Sequence, residues 1–463
     1  MQNSRIRPSY AAGFQCIGSM CEDTCCQGWT VPIDKATWQK YRSLPPSPLR
    51  TLIDASVVVN ERAAEDAAPN PATFARFQMN EQHQCPLLTE KKLCGIQTAM
   101  GEGMLSHACA TYPRIVHQND NQADVALALS CPEAARVVLL TRELLQVEPV
   151  GRVAEVQHSD AGAEMGSDLK QESLPAHFWA IRATVFKVVQ NRTYPLWQRL
   201  FLLDLMCRRL DSIASRELDS TVPQYLVALE ASLAMGDLRA AMDTLPSDNA
   251  AQMDVVLRLA GLMLHKSNVR PRFVECVQAF TAGIGNGPGA TLDSLCAQTV
   301  LAHDRNFAPF FNLNPHILEN FLINTIFRCQ FPYGKQAIRE GKRPEMVREF
   351  AQLAAQFVLM RGLLIGVAGF HGAKFSAEHV VLTVQAASKH FEHHPEFLPM
   401  ALKLLKESEL DGARGMAILL RNPKTDRSSI ATMPTIPAIS FPNWQVGRSA
   451  SATEAPSFPV RSQ

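Results

Sequence analysis

Four cysteines fall within residues 16–26 of the stretch CIGSMCEDTCCQGW, and two of them, Cys25 and Cys26, are neighbours. The first two are Cys16 and Cys21. Four more follow at Cys85, Cys94, Cys109 and Cys131, so eight of the chain's twelve cysteines lie in its first 131 residues. Gly18, Ser19, Gly28, Gly95, Gly101 and Gly103 punctuate them, and turn formers let several thiols converge on one point. Soft thiolates suit zinc or iron. Four would hold one tetrahedral zinc or one [4Fe–4S] cluster. Disulfides and redox thiols are the alternatives. Adjacent Cα atoms lie about 3.8 Å apart, whereas a relaxed disulfide needs roughly 4.4–6.8 Å. Cys25 and Cys26 are therefore poor partners for each other. The chain has no CxxC knuckle, and CxxxCxxC is half met: Cys21 and Cys25 fit, but the third position is Gly28. The spacing predicts a metal site and leaves the metal open.

The elements that must position these thiols are short. LPPSP (44–48) and AAEDAAPNPAT (63–73) read as loops. PEAARVVLLTRELLQV (132–147) reads as a helix with Pro132 in its first turn. Glu133 sits in that turn, where the helix dipole favours a carboxylate. Asp34, before ATWQKY, reads as a helix N-cap rather than a base. Residues 150–175 are polar and aperiodic, as a linker is. From about 176 the pattern turns helical: Leu353, Phe357, Met360, Leu364 and Val367 are spaced by four, three, four and three. Cys207, Cys276, Cys296 and Cys329 stand singly in apolar contexts and read as core. GIGNGPG (283–289) follows helix-like sequence and reads as a connecting loop, so no strand–glycine–helix nucleotide site is expected. The expected fold is mainly α. A cysteine-rich metal-binding domain of short helices and loops (1–149) joins through a linker (150–175) to a helical domain (176–421) on which it packs. A disordered tail (422–463), rich in Pro, Ser and Thr, follows.

Bulk properties narrow the partners. The 463 residues carry a net charge of +1, which gives no electrostatic reason to expect nucleic acid or an anionic membrane. The N-terminus has no apolar signal-peptide core. The best membrane candidate, FVLMRGLLIGVAGF (357–370), is too short to span and is interrupted by Arg361. A cytoplasmic protein is expected, and cysteines in a reducing compartment favour metal or catalytic roles over a disulfide framework.

Longer stretches carry a family likeness. YAAGFQCIGSMCEDTCCQGWTVPIDKATWQKY (10–41), CPLLTEKKLCGIQTAMGEGMLSHACATYPR (85–114) and LALSCPEAAR (127–136) are followed in order by FWAIR (178–182), NRTYPLWQRL (191–200), ENFLIN with FPYGK (319–335), LLIGVA (363–368) and SKHFEH (388–393). On these the chain resembles the flagellin lysine-N-methylase family over nearly its whole length to about 410. Its first half also resembles cysteine-rich domains thought to chelate zinc or iron. The resemblance implies a protein-lysine N-methyltransferase that modifies flagellin with S-adenosylmethionine as donor and carries a [4Fe–4S] cluster. The residues carried over as ligands are Cys21, Cys25, Cys26, Cys85, Cys94, Cys109 and Cys131, with Cys16 beside them. The alternative is a zinc-stabilised, non-catalytic module that docks on flagellin or another protein. Tyr112 and Arg114 in CATYPR, and Glu392 and His393 in SKHFEH, are the candidate catalytic residues. His390, His393 and His394 share a helix face, which would admit a second metal.

Overall fold

The structure, a computed structural model, describes residues 4–60, 71–119, 122–143, 145–149, 174–236, 238–264, 270–392 and 396–424. Met1–Thr425 forms one compact unit; a second, Asp426–Gln463, lies outside the described residues, as do 150–173 of the expected linker. The expected tail is described only at 422–424. The described chain is mainly α-helical, as the periodicity predicts.

The first third differs from the expected helices and loops in also holding three small antiparallel sheets. Strand β1 (Ser4–Pro8) pairs with β7 (Leu145–Pro149). Strands β2 (Pro32–Ile33), β3 (Val57–Val59) and β4 (Ala75–Phe77) are ordered β2-β4-β3, and β5 (Arg114–Asn119) forms a hairpin with β6 (Gln122–Leu127). Strands of two or three residues are too short to show the alternation that marks a strand in sequence. The three-stranded sheet backs a local core of Val31, Ile33, Tyr41, Ile53, Phe77, Leu87 and Ile96, with Cys85 inside it. Cys26, Cys94 and Cys109 pack against the same core. Helix Lys35–Arg42 starts at Asp34, whose carboxylate accepts from the Thr37 N–H at 2.8 Å and from the His107 N–H at 3.1 Å. Asp34 is the cap the sequence predicts.

From Phe178 onward the chain is a stack of helices around Met346–His371. That helix has 26 residues, far more than the 14-residue stretch suggests. By length and composition it is able to cross a membrane, yet 83% of its most apolar window is buried inside the protein. Arg361, in its middle, is buried and donates to the carbonyls of Leu419 (2.6 Å) and Leu420, the last turn of helix Ala413–Leu420. An interior guanidinium is tolerated because it satisfies carbonyls that a helix end leaves open.

Helix Pro271–Gly283 lies against this central helix at very short range. A Cβ on Gly283 would stand 1.8 Å from the Gly366 carbonyl oxygen, and one on Gly366 would stand 2.6 Å from that of Phe280. Backbone cannot retreat as a flexible side chain can, so the contact requires glycine. We expect Gly283→Ala to destabilise the fold by roughly 1–3 kcal/mol, the usual cost of overpacking. Gly261→Ala, where the added carbon would meet nothing within 4 Å beyond its own helix backbone, should stabilise by about 0.5–1 kcal/mol. Urea denaturation of both variants checks this, and equal effects would refute the close-approach account.

Candidate active site

The residues before 150 meet the helices through polar contacts. Tyr10 donates to Asn324 Oδ1 at 2.5 Å, and the Asn324 side chain spans the Leu127 N–H and C=O at 3.0 and 2.8 Å. Asn320 donates to the carbonyls of Val138 (3.0 Å) and Thr141 (2.6 Å). Arg182 pairs with Asp124 at 2.5 Å, both buried. At one end of this seam sits the Asp23–Gly28 loop.

Asp23 Oδ2 accepts from Lys389 Nζ at 2.7 Å and from Gln385 Nε2 at 2.8 Å, while Oδ1 accepts from the Thr24 N–H at 2.7 Å. Lys389 also donates to the Thr24 carbonyl at 2.7 Å. Its side chain is 3% exposed. Burial alone would raise the Asp23 pKa, but Lys389 and the Thr24 N–H together bring it below the ordinary carboxylate value. The Lys389 pKa is lowered, chiefly by burial and against the pull of Asp23. Gln385 and Lys389 are one turn apart on helix Ala377–Phe391, so one face reaches both Asp23 and, through Gln385, the Ser130 carbonyl at 2.9 Å. On the other side of the loop, Arg270 donates to the Gln27 carbonyl. Gly28 has φ +83°, and a Cβ there would stand 1.2 Å from an Arg270 terminal nitrogen. The left-handed backbone favours glycine at 28, and the Arg270 head would have to swing aside for any Cβ there.

This loop walls two cavities. One, of about 200 Å³, is lined by Asp23, Gln27, Arg270, Pro271, Arg272, Phe273, Gln385, Ala386 and Lys389. The other, of about 60 Å³, is lined by Cys25, Cys26, Cys85, Cys94 and Cys109 with apolar and aromatic neighbours that include Trp29, Tyr41, Phe77 and Tyr112. Five of the eight expected ligands thus share one cavity, and Cys16, Cys21 and Cys131 do not line it.

The metal expectation is corrected here. Among the described residues no group of three or more His, Cys, Asp or Glu side chains is arranged to hold a metal ion. Neither the [4Fe–4S] cluster nor zinc fits the described residues, which overturns the expected metal-binding domain. Cys85 is part of the local core and Cys26, Cys94 and Cys109 pack on it, whereas Cys16 and Cys25 are exposed. Burial pushes Cys85 up to about 11 and Cys109 and Cys131 up to about 12, so these thiols are protonated at neutral pH. Cys25 differs. It accepts a hydrogen bond from the Cys26 thiol, which outweighs burial, and Lys389 adds to the effect, so its pKa is lowered to about 7; the same bond raises that of Cys26.

The candidate catalytic residues fare unevenly. Tyr112 stacks on Trp29 (5.9 Å between centroids) and shares a 3.2 Å hydrogen bond with Ser130, at the wall of the smaller cavity. Burial raises its pKa well above the ordinary value, so it is a neutral hydrogen-bonding group. Arg114 donates to the Phe14 carbonyl at 2.8 Å and covers the Phe14 ring, a tether. Glu392 is buried and accepts from the Leu129 and Ser130 N–H groups at 3.3 and 3.2 Å, with Arg328 at 3.6 Å. His393 and His394 lie outside the described residues; His390 is buried with its ring against Phe273. Glu133 pairs with Arg136, which also binds Glu22 at 2.7 Å. Asp23, Arg270, Arg272, Gln385 and Lys389 were not singled out by sequence. The available signal was Gln385 and Lys389 at i, i+4 within an apolar helix stretch.

The loop's contacts generate two expectations. Lys389→Met should destabilise the protein by roughly 3–5 kcal/mol at pH 7, because it leaves Asp23 buried without its partner. Asp23→Asn in the same chain should recover part of that loss. Because the folded pKa of Asp23 is lowered, its stabilising contribution is present above the ordinary carboxylate pKa and fades as pH falls through the depressed value. Urea melts at several pH values test this, and a neutral Lys389→Met would refute it. Separately, iodoacetamide should alkylate Cys25 with a rate that climbs through about pH 7 while Cys85 and Cys109 stay unreactive, as peptide mapping will read. Equal rates at the three thiols would refute the assignment, and Cys26→Ala should shift the Cys25 profile to higher pH.

Comparison with known proteins adds a family. Residues 182–419 match the FliB lysine N-methylase C-terminal domain. The flagellar biosynthetic protein FliU of Salmonella muenchen is 31% identical over 133 residues, which are 28% of this chain and 75% of that protein. The lysine-N-methylases of Salmonella typhimurium and Salmonella choleraesuis are 31% identical over 133 residues, 28% of this chain and 31% of each enzyme. The alignment thus spans under a third of those two enzymes. These spans correct the expected likeness over nearly the whole chain: the family match falls on the helical half and leaves out the cysteines before 150. No solved structure matches.

Proposed function

We propose that this chain, which belongs to the FliB lysine N-methylase C-terminal domain family, is a protein-lysine N-methyltransferase of the flagellar system that acts on flagellin with S-adenosylmethionine as donor. The observation that carries this reading is a coincidence of position. The family match, 182–419, contributes Arg270, Arg272, Gln385 and Lys389 to the larger cavity, where they face Asp23. The likeness to lysine-N-methylases and to a flagellar biosynthetic protein supports the enzyme class and the flagellar connection.

Methylating an amine by displacement is polar chemistry and asks little of a metal. The neutral lysine nitrogen attacks the methyl carbon of the sulfonium. The carbon–sulfur bond breaks with its electron pair passing to sulfur, and the new ammonium loses its proton to water. The enzyme's tasks are to hold the amine neutral, although a free lysine has a pKa of about 10.4, and to align it at about 3–3.5 Å from the methyl group. Arg270, Arg272 and Lys389 give the neighbourhood a positive potential, which lowers the pKa of an amine brought close to it. Tyr112, neutral and lining the smaller cavity, is a hydrogen-bonding group there, held by Ser130.

The test is direct. Purified protein, monomeric flagellin and methyl-labelled S-adenosylmethionine should yield label on flagellin lysine Nζ atoms, identified by peptide mass spectrometry. No label, under conditions in which an unrelated lysine methyltransferase modifies its own substrate, would overturn the reading.

A further inference from the structure

The larger cavity has a charge pattern that the methyl-transfer step itself does not require. Three cations line it, Arg270, Arg272 and Lys389, against one carboxylate, Asp23. Asp23 is already engaged by Lys389, Gln385 and the Thr24 N–H. The two guanidiniums are not matched in this way. Arg272 uses Nε for Gln385 Oε1 at 3.2 Å, and Arg270 uses one terminal nitrogen for the Gln27 carbonyl. Their remaining N–H groups have no partner among the described residues. Arg270 and Pro271 also open the 13-residue helix Pro271–Gly283, so the positive end of that helix dipole lies at the same wall. Gly28 keeps Arg270 laid across the Cys25 loop.

We infer that this cavity is a carboxylate site, and that its occupant is the amino-acid end of the methyl donor. The inference rests on the methyltransferase reading for the identity of the ligand, though not for its charge. Guanidinium forks bind carboxylates through paired hydrogen bonds. The volume, about 200 Å³, is below the roughly 300–1,000 Å³ of pockets that enclose a whole drug-sized molecule. It takes a headgroup rather than an entire nucleoside. The carboxylate is the part of that end the wall recognises, since the Asp23 carboxylate and the Thr24 and Gln27 carbonyls are already taken by Lys389, Gln385 and Arg270. A carboxylate side chain on the protein substrate has the same chemistry, and the experiment separates the two sources.

The experiment is calorimetric titration of the full chain with S-adenosylhomocysteine and with 5′-methylthioadenosine, which lacks the amino-acid end. Arg272→Gln should weaken S-adenosylhomocysteine about tenfold or more, the loss expected for a charge-assisted hydrogen bond, and leave 5′-methylthioadenosine unchanged. Arg272→Lys should restore part of the loss. Arg272 is partly exposed, and unchanged melting of the variants excludes a folding defect; Arg270→Gln gives a second reading at the same wall. No binding of S-adenosylhomocysteine by the unaltered protein, or equal weakening of both ligands, overturns the inference. A rise in KM for flagellin with no change for the donor overturns the assignment to the donor and gives the site to the protein substrate. The two proposals fail separately. Arg272-dependent binding without flagellin methylation removes only the function. Methylation with an unchanged donor KM in Arg272→Gln removes only this site.

Discussion

The buried pair between Asp23 and Lys389 is the constraint on which the site depends. The loop that holds Cys25 and Cys26 has almost no regular structure to fix itself. It is held from outside by Lys389 and Gln385 on one helix and by Arg270 at the start of another. Burying two charges is costly unless each is hydrogen-bonded. Here Asp23 takes three donors and Lys389 gives to two acceptors, so the pair fixes geometry as well as charge. The same principle runs along the seam. Asn320, Asn324 and Glu392 each spend their hydrogen-bonding groups on backbone of the first third of the chain. Contacts of this kind specify one docking position, because a shift leaves buried polar atoms unmatched.

The cysteines show how one residue type serves two chemistries. A thiol is a good metal ligand when ionised and a small hydrophobe when not. Spacing in sequence does not distinguish these, because it reports neither burial nor direction. In the fold, Cys85 is inside the local core and Cys26, Cys94 and Cys109 press against it. Burial favours the protonated form at Cys85 and Cys109. Cys25 alone has a thiol neighbour that donates to it and an ammonium nearby. Two adjacent cysteines thus end with opposite acidities because one points its proton at the other.

Much of the fold was legible. Helix periodicity gave the mainly α character, Asp34 was readable as a cap, and Cys207 and Cys276 are buried as their contexts implied. The short strands were not legible, since Val57–Val59 and Ala75–Phe77 gain their identity from pairing with each other rather than from any local pattern. The site was half legible. SKHFEH points to the right helix end, but its sequence favours Glu392 and His393 over Lys389. A lysine in a helix normally faces water, and only the distant Asp23 explains why this one does not. Arg270 and Arg272 carried no signal, since the partner of one, Gln27, lies 243 residues earlier and that of the other, Gln385, 113 residues later.

Gly28 and Arg270 occupy what is in effect a single volume, shared between two distant stretches of chain. A lineage that places any side chain at 28 must first shorten or redirect the one at 270, and a lineage that has lost the arginine is released from keeping the glycine sterically, though not from the backbone conformation. The two positions are therefore expected to drift together, as a linked pair with a preferred order of change. A record of how this sequence diversified would carry the imprint of that contact even where no atom of the site is visible.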